Sequence, residues 1–253
     1  MTTPAVDPAV LIPDDEVFIR MTLVERWQHG LLAASFILLI LSGLPVLSGE
    51  AAVIRLVAGR IVTFTARGLV HRAAAVLLIL DLVWHLAYTV FTRRGRQNLR
   101  DRRPRLQDLR DALAVFRPRA PRPEFARYNF AQKFEYWALL WGSAIMIVTG
   151  GLMWVPNLSL SFFPLWLHQV FVVIHGYEAV LAFVAILIWH MYTAHLDPEI
   201  FPMSWVWLNG RMTGGELRRF HPLEYRRLLA NRERLYRELL ALDPGRGGAG
   251  PAA

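Results

Sequence analysis

The sequence predicts an all-α integral membrane protein: a four-helix bundle with cytoplasmic termini and a cytoplasmic amphipathic C-terminal helix. Three observations predict it. Four apolar runs are each long enough to cross a bilayer, which takes roughly 20 helical residues. The 253 residues are 55% hydrophobic and only 19% charged, against about 25% charge in a soluble domain. The basic residues crowd between the second and third runs. The chain has no cysteine, which excludes disulfides, thiolate-bound iron–sulfur clusters, Cys-type zinc sites and c-type haem attachment. The net charge of +8 comes from 27 Arg and one Lys against 20 acids. Such a balance suits either nucleic acid or the cytoplasmic face of a membrane protein, and the placement of the arginines decides between them.

In chain order, residues 1–24 read as a cytoplasmic tail and 25–195 as the transmembrane domain, with spans at about 27–47, 69–91, 134–155 and 165–194. The first run reads as a span and not a signal peptide, because an acidic tail precedes it and no small-residue cleavage site follows its core. The loop 92–133 carries Arg93, Arg94, Arg96, Arg100, Arg102, Arg103, Arg105, Arg110, Arg117, Arg119, Arg122 and Arg127, broken by Pro104, Pro118, Pro121 and Pro123. The positive-inside rule makes this loop cytoplasmic, and both termini with it. The uncharged Leu158–Pro164 connection suits the opposite side; Arg55, Arg60 and Arg67 in the first outer loop run against it. No aromatic residues interleave the Arg93–Arg110 cluster, so nucleic acid is not an expected partner. The segment 196–253 is read as cytoplasmic. It holds Asp197–Pro198, an aromatic stretch from Phe201 to Trp207, and a polar segment from Glu216 to Leu240 with Leu217, Leu223, Tyr225, Leu228, Leu229, Leu235, Tyr236 and Leu239 at helical spacing. This segment is either a basic amphipathic helix on the membrane or a partner, or a solvated tail helix. Gly245–Ala253 reads as disordered.

Five of the eight histidines lie in or at the ends of the apolar runs: His29, His71, His85, His175 and His190. Polar groups in lipid are costly and mark function. His71 and His85 are 14 residues apart, about 40° and ~21 Å on a helix; His175 and His190 are 15 apart, about 60° and ~22 Å. The second and fourth spans run in the same direction, so their histidines form two level rungs. Each rung can clamp an iron between two imidazoles, and two haems stacked in this way carry electrons across the bilayer. Zinc fits poorly, since the rungs are too far apart to share an ion and no carboxylate cluster completes a tetrahedral set. The alternative is structural hydrogen bonding between helices. Gly43, Gly142, Gly150 and Gly151 allow a macrocycle, or simply a second helix, to approach. Arg67 and Arg72 flank His71 as candidate partners of haem propionates, or as snorkelling interface residues. Asp81, one turn before His85, is a candidate proton carrier or partner of that ring; pairing with a neighbouring helix is the plainer reading. Glu178, one turn after His175, either orients a group there or faces a polar gap. His168, His195 and His221 read as structural, with His195 also a candidate proton entry group.

The residues resemble the four-helix, di-haem cytochrome b subunits of membrane-bound formate dehydrogenase (its gamma subunit), thiosulfate reductase and nickel–iron hydrogenase. The resemblance runs from about Arg20 to Tyr225. It rests on Glu25-Arg26-Trp27-Gln28-His29, Ser42-Gly43, His71-Arg72, Tyr128-Asn129-Phe130-Ala131-Gln132-Lys133, Thr149-Gly150, Ile174-His175, Trp189-His190-Met191-Tyr192, Phe201-Pro202-Met203 and His221-Pro222-Leu223-Glu224-Tyr225. It implies an outer haem b on His71 and His175 and an inner haem b on His190 and His29. It also implies a quinone, menaquinone or ubiquinone, beside the inner haem near Asn129, Gln132 and Lys133, and a periplasmic catalytic, iron–sulfur or cytochrome partner. Lys133 or Glu135 then either passes protons from the cytoplasm or is a plain interface charge at the helix start, and Asn129 is either a quinone ligand or a helix N-cap. Two departures bear on the inner haem. His85 is extra: the resemblance favours His29 as the ligand, level-matching favours His85, and the other lines the quinone pocket or holds a third haem. The His175–His190 separation is one residue longer than in the formate type, which turns His190 by about 100°.

The function expected is that of a redox subunit in a bacterial inner membrane, embedded in lipid and quinone-reactive, with no molybdenum, nickel or flavin motif of its own. The alternatives are a haem-bearing conduit without a quinone site and a haem-free anchor for a catalytic subunit.

Overall fold

The structure, a computed structural model, describes residues 11–47, 64–115, 117 and 123–242. Arg55, Arg60, Arg119, Arg122 and the segment Gly245–Ala253 lie outside the described residues. In chain order the elements are β1 (Val17–Ile19), α1 (Leu23–Leu47), α2 (Phe64–Phe91), α3 (Arg93–Asp101), α4 (Leu106–Val115), α5 (Phe130–Trp154), α6 (Pro156–Phe162), α7 (Leu165–Val184), α8 (Val206–Asn209), β2 (Arg211–Thr213), α9 (Gly214–Phe220) and α10 (Pro222–Leu242).

Four stretches are long and apolar enough to span a membrane: Leu23–Leu44, Ala66–Phe91, Phe130–Trp154 and Leu165–Leu196. The fold is thus the expected all-α membrane bundle. The second and third helices begin earlier than the apolar runs at 69 and 134. Apolarity marks the part of a helix that meets lipid, whereas backbone hydrogen bonding carries the helix on into its polar ends. Large apolar side chains point outward, with Leu80 58% and Trp141 72% exposed. Apart from Leu78, the buried positions of the spans are small or polar, among them Ser35, Ser42, Ala74, Thr89 and Thr149. Helices in lipid gain nothing by hiding leucine from tails as apolar as leucine, so small residues and hydrogen bonds hold the interfaces.

A reciprocal box opens α1. Thr22 N–H donates to Glu25 Oε2 (2.7 Å) and Glu25 N–H to Thr22 Oγ1 (3.3 Å), satisfying two donors at the helix start. Glu25 also accepts from Tyr88 of α2 (3.2 Å) and from Arg94 (3.2 Å) and Asn98 (2.5 Å) of α3. The Arg-rich loop therefore contains ordered helix. Thr92 caps α3 by accepting from Gly95 N–H at 2.9 Å, and Pro104 stops it, since a proline disfavours helix in the residue before it. The Leu158–Pro164 connection likewise holds α6, opened by Pro156 at its first turn.

The fourth span changes character along its length. After α7 the chain winds as π-helix over Ala185–His190 and Tyr192–Leu196. Met191 N–H reaches Ile186 O, and Asp197 N–H reaches Tyr192 O at 2.9 Å, five residues back in each case. A π turn takes up one residue more than an α turn.

The described chain forms two compact units, the bundle (22–103 and 131–208) and a polar unit from the described parts of 1–21, 104–130 and 209–253. In the polar unit β1 pairs antiparallel with β2, Val17 opposite Thr213 and Ile19 opposite Arg211. The N-terminal segment is therefore tied down. Ile12, Leu217 and Tyr225 form the core, covered by Phe18, Met212, Leu228 and Leu229. The apolar stripe expected over 216–240 thus serves this unit's own core in its first half, while Leu235 and Tyr236 stay exposed. The stripe is two helices, because Pro222 has no N–H to continue α9 and His221 leaves helical geometry at φ −135°, ψ 56°. Arg20 (2.6 Å) and Arg127 (3.0 Å) share the Glu224 carboxylate, and Arg20 also donates to Arg127 O.

Candidate functional site

Four of the five membrane histidines stand in two facing pairs. The His71 and His175 rings have centroids 6.4 Å apart at 68°. The His29 and His190 rings are 6.3 Å apart at 41°. α7 and its π continuation supply one member of each pair, α2 and α1 the other.

Behind the first pair the two halves of the bundle use one device. Ser42 Oγ lies 3.0 Å from His71 Nδ1 and donates to Leu38 O at 2.5 Å. Thr149 Oγ1 lies 2.9 Å from His175 Nδ1 and donates to Ile145 O at 2.7 Å. Each hydroxyl spends its proton on a carbonyl one turn back and so accepts Nδ1–H from the imidazole. That fixes the tautomer and leaves Nε2 bare as a ligand. The next residue is glycine in both cases. A Cβ at Gly43 would lie 3.1 Å from His71 Cε1, and one at Gly150 3.0 Å from His175 Cε1. The dipeptides Ser42-Gly43 and Thr149-Gly150 therefore hold the rings by one hydrogen bond and one missing methyl group each.

The second pair is built differently. His190 Nδ1 donates to Glu135 Oε2 at 3.1 Å, and Thr193 Oγ1 donates to Glu135 Oε1 at 2.9 Å. His29 Nδ1 is buried without a hydrogen-bond partner. The Trp207 ring lies 6.0 Å from His29 and 6.3 Å from His195. Trp207 Nε1 and His195 Nδ1 are likewise buried and unpartnered. Three nitrogens without partners gather at this end, and a buried polar group without a partner calls for a ligand or solvent. Glu135 lies on the face of α5 that meets His190; Gln132, exposed, and Lys133, buried, precede it within one turn. Asn129 immediately precedes the helix.

The π turn explains how His190 faces His29. The extra residue between His175 and His190 would swing the second ring away on an unbroken α-helix. The π stretch ending at His190 absorbs that residue.

His85 is not the level partner of His190. Its ring packs edge-on to Tyr136 at 5.7 Å. Its Nδ1 lies 3.2 Å from Gln28 Oε1, and its Nε2 lies 3.2 Å from Tyr136 Oη and 3.5 Å from Thr89 Oγ1. Both nitrogens are taken, by residues of three helices. Asp81 is 4% exposed and its Oδ1 has no partner, so it does not bond to His85 as expected; Gln28 and Tyr136 occupy the positions it would need. Arg72 stacks over Trp154 at 5.6 Å. The Glu178 carboxyl packs on Gly142, where a Cβ would meet Oε1 at 2.7 Å. His168 Nδ1 lies 3.2 Å from Ser159 Oγ. The sequence reading did not single out Trp207, Tyr136 or the hydroxyls of Ser42 and Thr149 as site groups. The hydroxyls had a legible signal in the repeated hydroxyl–glycine dipeptide; Trp207 had none.

The paired rings fit a metal held between them. An imidazole nitrogen sits about 2.0–2.1 Å from a divalent metal. With each ring centre about 1.1 Å further back, two rings on one ion have centroids roughly 6.3 Å apart. Both pairs match. Among the described residues no three His, Cys, Asp or Glu gather to hold a bare ion. Two imidazoles complete the coordination of a metal whose other positions a macrocycle fills, as in haem.

Four apolar spans with imidazoles paired between them define a membrane cytochrome. Residues 20–202 match the family model of prokaryotic cytochrome b561, and the chain belongs to that family. No curated protein matches it. The chain is thus a bacterial membrane protein and a haem b electron-transfer subunit.

Proposed function

We propose that this cytochrome carries two haems b and passes electrons across the inner membrane between a periplasmic redox partner and the quinone pool, menaquinone or ubiquinone. His71 and His175 would hold one haem, His29 and His190 the other. When bound, haem b supplies a one-electron iron couple. The observation that carries the reading is the presence of two facing imidazole pairs at metal-bridging separation, 15 residues apart along one transmembrane helix, about 21 Å of rise once the π turn absorbs one residue. The arginines of 92–127 support a cytoplasmic side for the loop, both termini and the His29–His190 end. The quinone reading adds the polar groups of that end. Trp207 Nε1 and His195 Nδ1 can donate to a carbonyl oxygen. Gln132 and Lys133 of α5, with Asn129 before it, are the remaining candidates. Neutral amide and indole donors orient a carbonyl without exchanging protons, while Lys133 and Glu135 can carry protons to it. On this reading the chain plays the role of the membrane subunits of formate dehydrogenase, thiosulfate reductase and nickel–iron hydrogenase that its sequence resembles.

A reduced-minus-oxidised spectrum with a haem-to-protein ratio tests the first part: two haems b per chain are expected, and one haem in the intact protein would end the proposal. For the quinone, Gln132→Ala, Asn129→Ala and Trp207→Phe should keep both haems reducible but slow their reoxidation by a quinone analogue. Normal reoxidation in all three would move the site elsewhere.

A further inference from the structure

The two imidazole pairs differ in the charge of what stands behind them. His71 and His175 each donate Nδ1–H to a neutral hydroxyl. His190 donates to a carboxylate, Glu135. Glu135 is not a passing contact. Thr193, one turn further along the π-helix, donates to its other oxygen at 2.9 Å, so the side chain is fixed between two residues of the fourth span. His190 and Thr193, three residues apart, both reach this one carboxyl group.

We propose that Glu135 is a positioning residue that sets the reduction potential of the metal held by His190. This rests on the proposed role of His190 as an axial ligand. An imidazole that shares its Nδ1 proton with an anion gains electron density at Nε2 and becomes a stronger donor. A stronger donor favours the more highly charged, oxidised iron, so the potential falls. A hydroxyl that is itself donating to a carbonyl is a weaker acceptor than a carboxylate. The same ring chemistry therefore yields two unequal sites, and Glu135 is the residue that separates them.

The test uses the full chain with its haems, titrated redox-spectroscopically, with the His29→Ala variant identifying which transition belongs to the His29–His190 site. Glu135→Gln keeps the shape and an acceptor oxygen but removes the charge. It should raise the midpoint of that transition by about tenfold in the ferrous-to-ferric ratio at fixed potential, about 59 mV for one electron, and leave the other transition where it was. Thr193→Val, which removes the second hydrogen bond holding the carboxylate without discharging it, should shift the same transition by less. The ferric EPR signal of that haem should change with the potential. Both haems present with unmoved midpoints in Glu135→Gln would overturn the proposal. If Glu135→Gln fails to retain the haem, an unmoved midpoint in Thr193→Val overturns it equally. Failure of the underlying ligand assignment looks different: His190→Ala would then keep two haems.

Discussion

At the His71–His175 end, each ring is held by a residue and its immediate neighbour, Ser42-Gly43 on α1 and Thr149-Gly150 on α5. At the His29–His190 end, the ring environment comes from Glu135 on α5, Thr193 and His195 in the π stretch, and Trp207 on α8, and three ring nitrogens, of His29, His195 and Trp207, have no partner. The ring separations are nearly the same, 6.4 and 6.3 Å. The ring supports at one end are thus neutral and fully paired, and those at the other are polar, charged and incompletely satisfied. A site that only hands electrons on needs its ligands fixed and water kept out. A site that exchanges them with a second molecule must leave donors free to meet it, and free donors are what the second end retains.

The largest expected effect breaks the pairs outright. His71→Ala or His175→Ala should each remove one haem, and His29→Ala or His190→Ala the other, as read by the pyridine haemochrome ratio. His85→Ala should keep both, since its nitrogens are spent on Gln28, Tyr136 and Thr89. Loss of a haem in His85→Ala with retention in His29→Ala would reverse the comparison. Next in size is crowding of the His71–His175 end. Gly150→Val puts branched carbon where even a Cβ would lie 3.0 Å from His175 Cε1. The ring must move, and the haem on His71 and His175 should be lost or become high-spin while the other keeps its spectrum.

His221 sharpens the comparison from outside the membrane, as a histidine that cannot serve as a ligand. Its Nδ1 donates to Ala126 O at 2.7 Å, and Arg20 faces its Nε2 at 3.3 Å. Burial, with Arg20 adding repulsion, pushes its pKa from 6.5 down to about 4. The folded ring therefore stays neutral where the unfolded one binds a proton. Its stabilising contribution is complete above pH 6.5 and is lost as the pH falls from 6.5 to about 4, on the order of 3 kcal/mol in all. Hydrogen exchange of α9 and α10 at pH 7.5 and 5 should show it, and His221→Gln should flatten the dependence. The smallest effect is loss of a supporting hydroxyl. Ser42→Ala or Thr149→Val should cost about 1 kcal/mol and weaken haem retention on His71 and His175 about tenfold, leaving the other haem untouched. Equal weakening of both haems would mean that the two ends are not independent.

The four spans, the loss of charge within them and the arginine loop were legible, because lipid imposes a composition on every residue that meets it and composition is local. The ligand candidates were legible too, since histidine in an apolar run is rare for energetic reasons. Ser42-Gly43 and Thr149-Gly150 stood out as motifs, though not for the proton geometry they create. Helix ends were less legible: Phe64–Gly68 and Phe130–Lys133 are helical in spite of their polarity.

The sequence by itself determined that this is a membrane bundle with histidines placed to bind metal, because hydropathy and residue chemistry act position by position. Spacing did not determine which histidine faces which: the resemblance favoured His29 opposite His190 and level-matching favoured His85, and only the tertiary structure brings His29 to His190. Level-matching assumed uniform α-helix along the fourth span. The π turns over Ala185–His190 and Tyr192–Leu196 instead bring His190 toward His29 and Glu135, while Gln28 and Tyr136 draw His85 aside. An extra residue is absorbed as a π turn only where the neighbouring helices reward the new alignment. That reward lies in contacts between residues as far apart as Glu135 and His190, which no window of sequence contains.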